Sequence, residues 1–121
     1  MLEKLQGSWK SDAERTLASM RSVTGVSARA RKMFENDFFG HLIVDYRGET
    51  RRMVLDDEDY DTGFTPFEIV DERDESVVLR AWDPMWEDFM LQEIFFEGDA
   101  YYVLTGKPLF REYFCRVDQE I

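Results

Sequence analysis

The residues with the clearest capacity for chemistry lie near the end of the chain, at Arg111-Glu112-Tyr113. In a β-strand alternate residues share a face, so Arg111 and Tyr113 would point to the same side. A guanidinium fork and a phenol together suit one carboxylate. If this face is internal, the buried cation requires an anion, which is either a ligand carboxylate or an internal acid. The opposite phase would turn Phe110 and Phe114 inward and leave Arg111 and Tyr113 on the surface.

A second arginine and aromatic pair, Arg80 and Trp82, lies in the middle of the chain. These two residues alternate with Val77, Leu79 and Ala81, which predicts a strand with one apolar face. Arg80 and Trp82 occupy the other face. That face is either exposed to solvent or lines a polar cavity, and in the second case both residues are candidate ligand contacts.

An acidic segment beginning at Asp56 carries the alternating carboxylates of a calcium loop. Asp57, Asp59 and Asp61 have the required spacing, and Glu68 falls at position 12. Gly63, however, falls at position 7 instead of position 6, and a β-like segment replaces the exiting helix. We therefore interpret the segment as a solvated loop between strands and predict no metal site.

The chain offers little material for nucleophilic catalysis. Cys115 is its only cysteine and His41 its only histidine, and a cysteine nucleophile needs a positioned base. No nucleophile elbow, phosphate loop or zinc spacing is present, so we expect a protein that is not an enzyme and needs no cofactor. One cysteine allows no intrachain disulfide, and residues 1–7 lack a secretory signal, which favours a cytoplasmic location.

Size and charge narrow the function further. The 121 residues suit one domain, covering residues 1–121. The net charge of -11 is the opposite of a nucleic-acid-binding footprint. No apolar run approaches the ~20 residues of a membrane span. The expected partner is a small molecule, and the oligomeric state stays open.

The remaining pattern predicts a mainly β protein. A first strand is expected over residues 5–10, followed by helices near 12–23 and 27–37, with Ser11 or Asp12 and then Ser27 as caps. Regularly spaced turns after Gly40 indicate an antiparallel meander that closes into a barrel or folds into a sandwich. The predicted strands of the meander cover residues 41–46, 50–55, 64–70, 76–82, 89–97, 100–105 and 109–117.

The start of the chain resembles the calycins, the superfamily of lipocalins and fatty-acid-binding proteins. Gly7-Ser8-Trp9-Lys10 is similar to the Gly-x-Trp segment that opens their first strand. The resemblance implies an up-and-down antiparallel barrel with a helix pair inserted after the first strand. The chain is shorter than a ten-stranded fatty-acid-binding protein, so about eight strands and a bacterial lipocalin-like domain fit better.

The resemblance also implies roles for particular residues. Gly7 and Trp9 would close the barrel floor, with Arg111 or Arg116 stacked on the indole. An Arg-x-Tyr pair in the last strand would hold a ligand carboxylate, which favours the inward orientation of Arg111 and Tyr113. The apolar tail of that ligand would contact Phe67, Ile69 and Tyr101, and the helix pair would form the portal.

Three functions follow from these features. The first is a small-molecule-binding barrel for an apolar or amphipathic ligand that bears a carboxylate. The second is an enzyme on a different α+β plan, in which the helices wrap a cone-shaped sheet; it requires that residues 5–10 do not pair into the sheet. The third is a packed interaction domain without a cavity, with Phe38-Phe39 and Met85-Trp86 as its exposed patch.

Overall fold

The computed structural model of the protein describes residues 2–117. Within this range eight antiparallel strands pair in chain order, and the first also pairs with the last, so the sheet closes into a barrel. The predicted mainly β, up-and-down barrel is confirmed, and the alternative of a cone-shaped sheet is wrong. The strands are β1 (Gly7–Asp12), β2 (Leu42–Arg47), β3 (Thr50–Leu55), β4 (Thr65–Glu72), β5 (Ser76–Asp83), β6 (Asp88–Glu97), β7 (Ala100–Thr105) and β8 (Phe110–Arg116).

Two helices lie between β1 and β2, as predicted, and a third precedes β1. They are α1 (Leu2–Leu5), α2 (Ala13–Ser22) and α3 (Ala28–Phe34). The Asp12 carboxylate caps α2 and the Ser27 hydroxyl caps α3, each accepting a hydrogen bond at 3.1 Å from the backbone N–H three residues later. None of these helices of residues 2–117 has the length and hydrophobicity needed to cross a bilayer.

The first strand begins later than the predicted residue 5, because Leu2–Leu5 forms a helical turn. Gly7 marks the switch from helix to strand with a φ of 109°, which an L side chain rarely adopts. A Cβ at this position would lie 3.2 Å from Nη1 of Arg116. That guanidinium donates to the carbonyl oxygens of Lys4 and Gln6, each at 2.7 Å. Arg116 thus fixes α1 and satisfies carbonyl groups at its end.

The barrel floor is built on Trp9, which is only 2% exposed. Its indole N–H donates to the Leu5 carbonyl oxygen at 2.8 Å. The Arg116 guanidinium lies over the indole at 4.2 Å, and the Tyr101 ring packs beside it with centroids 4.7 Å apart. Of the two arginines expected beside Trp9, Arg116 occupies that place, whereas Arg111 lies elsewhere.

The apolar side chains form two separate clusters. The larger cluster lies inside the barrel and includes the floor residue Trp9 and the β5 residue Leu79. The smaller lies beneath the helices and is centred on Met20, Phe39 and Phe110. Members of both clusters, among them Val44, Phe114 and Phe39, line the cavity described next.

Candidate functional site

A cavity of about 920 Å³ lies inside the barrel and opens to solvent near α3. This volume suits a small ligand. The strands contribute its wall, and its mouth is bordered by exposed residues such as Phe38, Glu58 and Met85. The wall residues are Ser11, Leu42, Val44, Tyr46, Arg51, Met53, Leu55, Gln92, Tyr101, Val103, Glu112 and Phe114.

The charged group that dominates this wall is Arg51, which is 7% exposed. Its Nη1 donates to the Gln92 side-chain oxygen at 3.0 Å. Its Nε is buried without a hydrogen-bond partner, and no carboxylate within residues 2–117 forms an ion pair with it. A buried guanidinium without an anion is costly in a protein interior. The cavity is therefore bordered by a cation that has no anionic partner within residues 2–117, and one of its donors is unsatisfied.

The phase of β3 explains why Arg51 faces inward. Arg51 alternates with Met53 and Leu55, and all three line the cavity. The adjacent Arg52 faces outward and donates from Nε and Nη2 to the Asp61 carboxylate, at 2.9 and 2.8 Å. Sequence reasoning missed Arg51, although its spacing from Met53 and Leu55 was the signal that could have found it.

Two tyrosines lie next to this guanidinium. Tyr46 is the cross-strand neighbour of Arg51 on β2, and Tyr101 borders the cavity. Burial raises the pKa of the Tyr101 phenol well above its ordinary value, and Tyr46 adds to this rise. The phenol therefore stays neutral at physiological pH and keeps its proton.

An acid on β8, Glu112, also borders the cavity. Its Oε2 accepts a hydrogen bond from the Ser11 hydroxyl at 3.1 Å. The same Ser11 oxygen accepts from the Gly40 N–H at 3.2 Å. Burial raises the pKa of the Glu112 carboxyl, and the Ser11 hydrogen bond opposes this rise. Sequence reasoning did not single out Glu112, because it considered only its neighbours Arg111 and Tyr113.

The expected inward orientation of Arg111 and Tyr113 is wrong. Arg111 lies on the outer face, with its guanidinium over the Tyr102 ring at 4.3 Å and its Nη1 3.2 Å from the Tyr113 hydroxyl. The Tyr113 ring is covered from outside by Arg15, at 4.3 Å. The other phase of β8 turns Phe114 into the barrel core. Cation and ring contacts with β7 and α2 stabilise the outward phase.

Arg80 and Trp82 also lie on the outer face, so the solvent-facing alternative holds and neither residue is a ligand contact in the cavity. The Arg80 guanidinium lies over the Phe89 ring at 4.4 Å and 3.8 Å from the Glu68 carboxylate. The Trp82 ring packs against Phe89, with centroids 5.4 Å apart. Val77, Leu79 and Ala81 occupy the buried face of β5, as predicted.

Of the three residues expected around an apolar tail, only Tyr101 borders the cavity. Phe67 is buried in the barrel core, where its ring meets Tyr46 edge to face at 5.5 Å. Ile69 is partly buried against the same core. Neither residue borders the cavity.

A charged cluster centred on His41 spans the cavity mouth. The His41 Nδ1 lies 2.7 Å from the Asp56 carboxylate, and its Nε2 lies 3.0 Å from Asp37. The hydrogen bond to Asp56 is the main cause that raises the His41 pKa to about 9, and Asp37 adds to it. The imidazolium thus joins the segment after α3 to the loop between β3 and β4.

The same cluster is the one place within residues 2–117 where metal-ligating side chains converge. One atom each of His41, Asp56 and Asp57 lie within 4.8 Å of one another. His41 and Asp56 already bond to Asp37 and to Lys10, whose ammonium is 2.7 Å from Asp56. The geometry is that of an ion-pair network, so it gives no reason to assign a metal.

We expect the His41 ring to titrate near pH 9, because both nitrogens face carboxylates. Since the pKa is raised above its unfolded value of about 6.5, the interaction stabilises the fold fully below that pH. This stabilisation is lost as the pH rises through about 9. NMR titration of the ring protons measures the midpoint, which Asp56→Asn should lower while Asp59→Asn does not. A midpoint near 6.5 in the unmodified protein would contradict this account.

Two pairs of neighbouring strands are only partly joined. The β3–β4 ladder contains two residue pairs and the β6–β7 ladder contains three. A side cavity of about 310 Å³ lies at the β6–β7 gap and shares Arg51 and Gln92 with the main cavity. Arg51 therefore borders both cavities.

The proposed interaction patch is only partly exposed. Phe39 is buried in the smaller apolar cluster, whereas Phe38 is 52% exposed. Met85 and Trp86 are 84% and 69% exposed in the turn between β5 and β6. Met85 also borders the main cavity, so this turn belongs to the rim. The cavity itself contradicts the hypothesis of a fully packed interior.

The site therefore consists of a solvent-connected, largely apolar cavity bordered by one unpaired guanidinium, a neutral phenol and the partly buried acids Asp83 and Glu112. Comparison of the chain with protein-family models, with curated proteins and with solved structures gave no match.

Proposed function

We propose that this protein binds a small amphipathic carboxylic acid inside the barrel, with the acid group at Arg51. The observation that carries this proposal is the buried Arg51 Nε, which lacks a hydrogen-bond partner. The calycin-like reading belongs to the same proposal. It is supported by the closed eight-stranded barrel of residues 2–117 and by the Trp9 floor beneath Arg116.

A ligand carboxylate would supply the anion that the buried Arg51 guanidinium lacks. It would accept charge-assisted hydrogen bonds from the Arg51 guanidinium, which borders the cavity. Gln92 orients the guanidinium from the other side by accepting from Nη1. A neutral lipid leaves the cation unpaired, so the site favours an ionised acid over an ester or an alcohol.

The rest of the cavity suits the apolar part of such a ligand. Leu42, Val44, Met53 and Leu55 line its wall between Arg51 and the mouth. Burial of methylene groups against such a wall contributes roughly 0.8 kcal/mol each. The net charge of -11 disfavours polyanionic ligands such as nucleotides.

We propose binding without turnover, in the cytoplasm. Burial and the neighbouring Asp12 raise the pKa of the Cys115 thiol, which is the opposite of what a nucleophile requires. His41 is held between carboxylates at the mouth, so it is engaged in an ion-pair network. A lone, unpaired cysteine also suits a reducing compartment.

Titration calorimetry with decanoic acid tests this function. We expect the unmodified protein to bind the acid and Arg51→Met to weaken binding about 10- to 100-fold, since hydrogen bonds to charged groups contribute about 1.5–3 kcal/mol. Arg111→Met is the matched control, because it removes the same charge from the outer face and should change affinity less than about twofold. Equal losses in both variants, or no binding by the unmodified protein, would refute the assignment.

A further inference from the structure

Glu112 is a partly buried carboxyl group of the cavity wall that the carboxylate site does not use. It lies on β8, whereas Arg51 lies on β3. Strands β1 and β2 lie between them in the closed sheet. The Glu112 Oε2 accepts from Ser11, but Oε1 has no hydrogen-bond partner within residues 2–117. Because Glu112 borders the cavity, this second oxygen is available to a molecule inside it.

Glu112 and Arg51 share the cavity without neutralising each other. No ion pair joins them within the described residues. Both nevertheless act on the Tyr101 phenol, whose pKa Arg51 lowers and Glu112 raises. The cavity thus has a cationic pole at Arg51 on β3 and an acidic pole at Glu112 on β8.

The wall between these poles is apolar. Val44, Val103 and Phe114 line it together with Met53. In an apolar pocket a few placed polar groups set ligand orientation and specificity. A ligand with an acid at one end and only hydrocarbon elsewhere would satisfy Arg51 but bury Glu112 against carbon, which is unfavourable for a carboxyl group.

We infer that the preferred ligand carries a hydrogen-bond donor, a hydroxyl or an ammonium, on its apolar body and that Glu112 accepts from it. This inference rests on the proposed function, because binding of the ligand's acid group at Arg51 determines where its hydroxyl or ammonium group lies in the cavity. The ligand class is therefore a hydroxy or amino derivative of an aliphatic acid. A site built to bond a hydroxyl discriminates strongly against the analogue that lacks it.

Calorimetry with three probe sets tests the inference. The probes are decanoic acid, the series of hydroxydecanoic acids with the hydroxyl at successive carbons, and the corresponding aminodecanoic acids. We expect one position in the hydroxyl or the amino series to bind about tenfold or more tightly than decanoic acid, since the poles are fixed in the barrel.

Two substitutions of Glu112 identify the accepting group. Glu112→Leu should remove the preference for the donor while decanoic acid still binds. Glu112→Gln keeps an acceptor oxygen without the charge, so it should preserve a preference for hydroxyl but abolish one for ammonium. Glu97→Gln on the outer surface is the matched control and should change neither. Thermal melts of both Glu112 variants verify that they are folded.

The outcomes separate this inference from the function on which it rests. If the unmodified protein binds none of the acids, the proposed function is wrong. If it binds decanoic acid through Arg51 but prefers no hydroxy or amino acid, only the inference is overturned. A donor preference that survives Glu112→Leu would also overturn it, because the acceptor would then be another group.

Discussion

Trp9→Ala should lower the free energy of unfolding by about 3–5 kcal/mol, the range for removing a large buried aromatic side chain. Trp9 is 2% exposed and contacts three structural elements at once. It receives the Arg116 guanidinium on its face, packs against Tyr101 and donates to the Leu5 carbonyl oxygen. Its loss leaves a cavity at the floor and also an orphaned carbonyl at the end of α1.

Urea denaturation followed by circular dichroism measures this effect. Trp86→Ala provides the matched control, because the same side chain is removed from a site that is 69% exposed. We expect the control to change stability by less than about 0.5 kcal/mol. A loss below about 1 kcal/mol for Trp9→Ala would mean that the floor is held together by other contacts.

Phe110→Ala should cost a similar amount, about 3–5 kcal/mol, and should act mainly on the helices. Phe110 is 2% exposed, and its ring contacts Phe34 at 5.3 Å and Phe39 at 5.9 Å. It also lies against Gly106, where an added Cβ would be 2.4 Å from the ring. Because the helix cluster is separate from the barrel core, the loss should loosen α2 and α3 before the barrel.

Hydrogen exchange provides the measurement for this second substitution. In Phe110→Ala the amides of α2 and α3 should exchange faster at conditions where those of β5 remain protected. Phe38→Ala removes the same type of ring from a position that is 52% exposed, and its exchange should match the unmodified protein. A uniform rise across barrel and helices would show that the two clusters unfold together.

The fold was predictable because its signals are local. Gly and Pro turns at regular intervals mark the strand ends, and β3 and β7 match the predicted residues without shift. Caps at Asp12 and Ser27 placed both helices to within a few residues. The short α1 was missed, because it is stabilised by Trp9 and by Arg116 from the other end of the chain.

The candidate site was harder to predict, because strand phase depends on partners distant in sequence. Residues 109–117 mix apolar and charged side chains on both faces, so their alternation favours neither. Arg111 packs over the Tyr102 ring, and Arg15 covers the Tyr113 ring. These contacts stabilise the outward orientation of Arg111 and Tyr113. The resemblance to an Arg-x-Tyr pair pointed to the wrong strand, although the expected chemistry, a guanidinium inside the barrel, is present at Arg51.

The inward orientation of Arg51 could have been predicted from the sequence. Its alternation with Met53 and Leu55 places it on an apolar face, as the structure has it. Its lack of an anionic partner was not predictable, because this chain carries 26 acidic residues. Only the assembled barrel determines that Asp61 pairs with Arg52 and that Glu112 stays apart from Arg51.

The central claim is that the guanidinium of Arg51 holds an ionised carboxylate in the cavity. NMR of bound decanoic acid, labelled with carbon-13 at its carboxyl carbon, tests this directly as the pH is lowered. The account predicts that the bound carboxyl stays ionised below the pH at which the free acid takes up its proton, because the cation lowers its pKa. In Arg51→Met any bound acid should instead titrate above the free acid, as burial alone requires. A bound carboxyl that titrates at or above the free acid in the unmodified protein would contradict the claim.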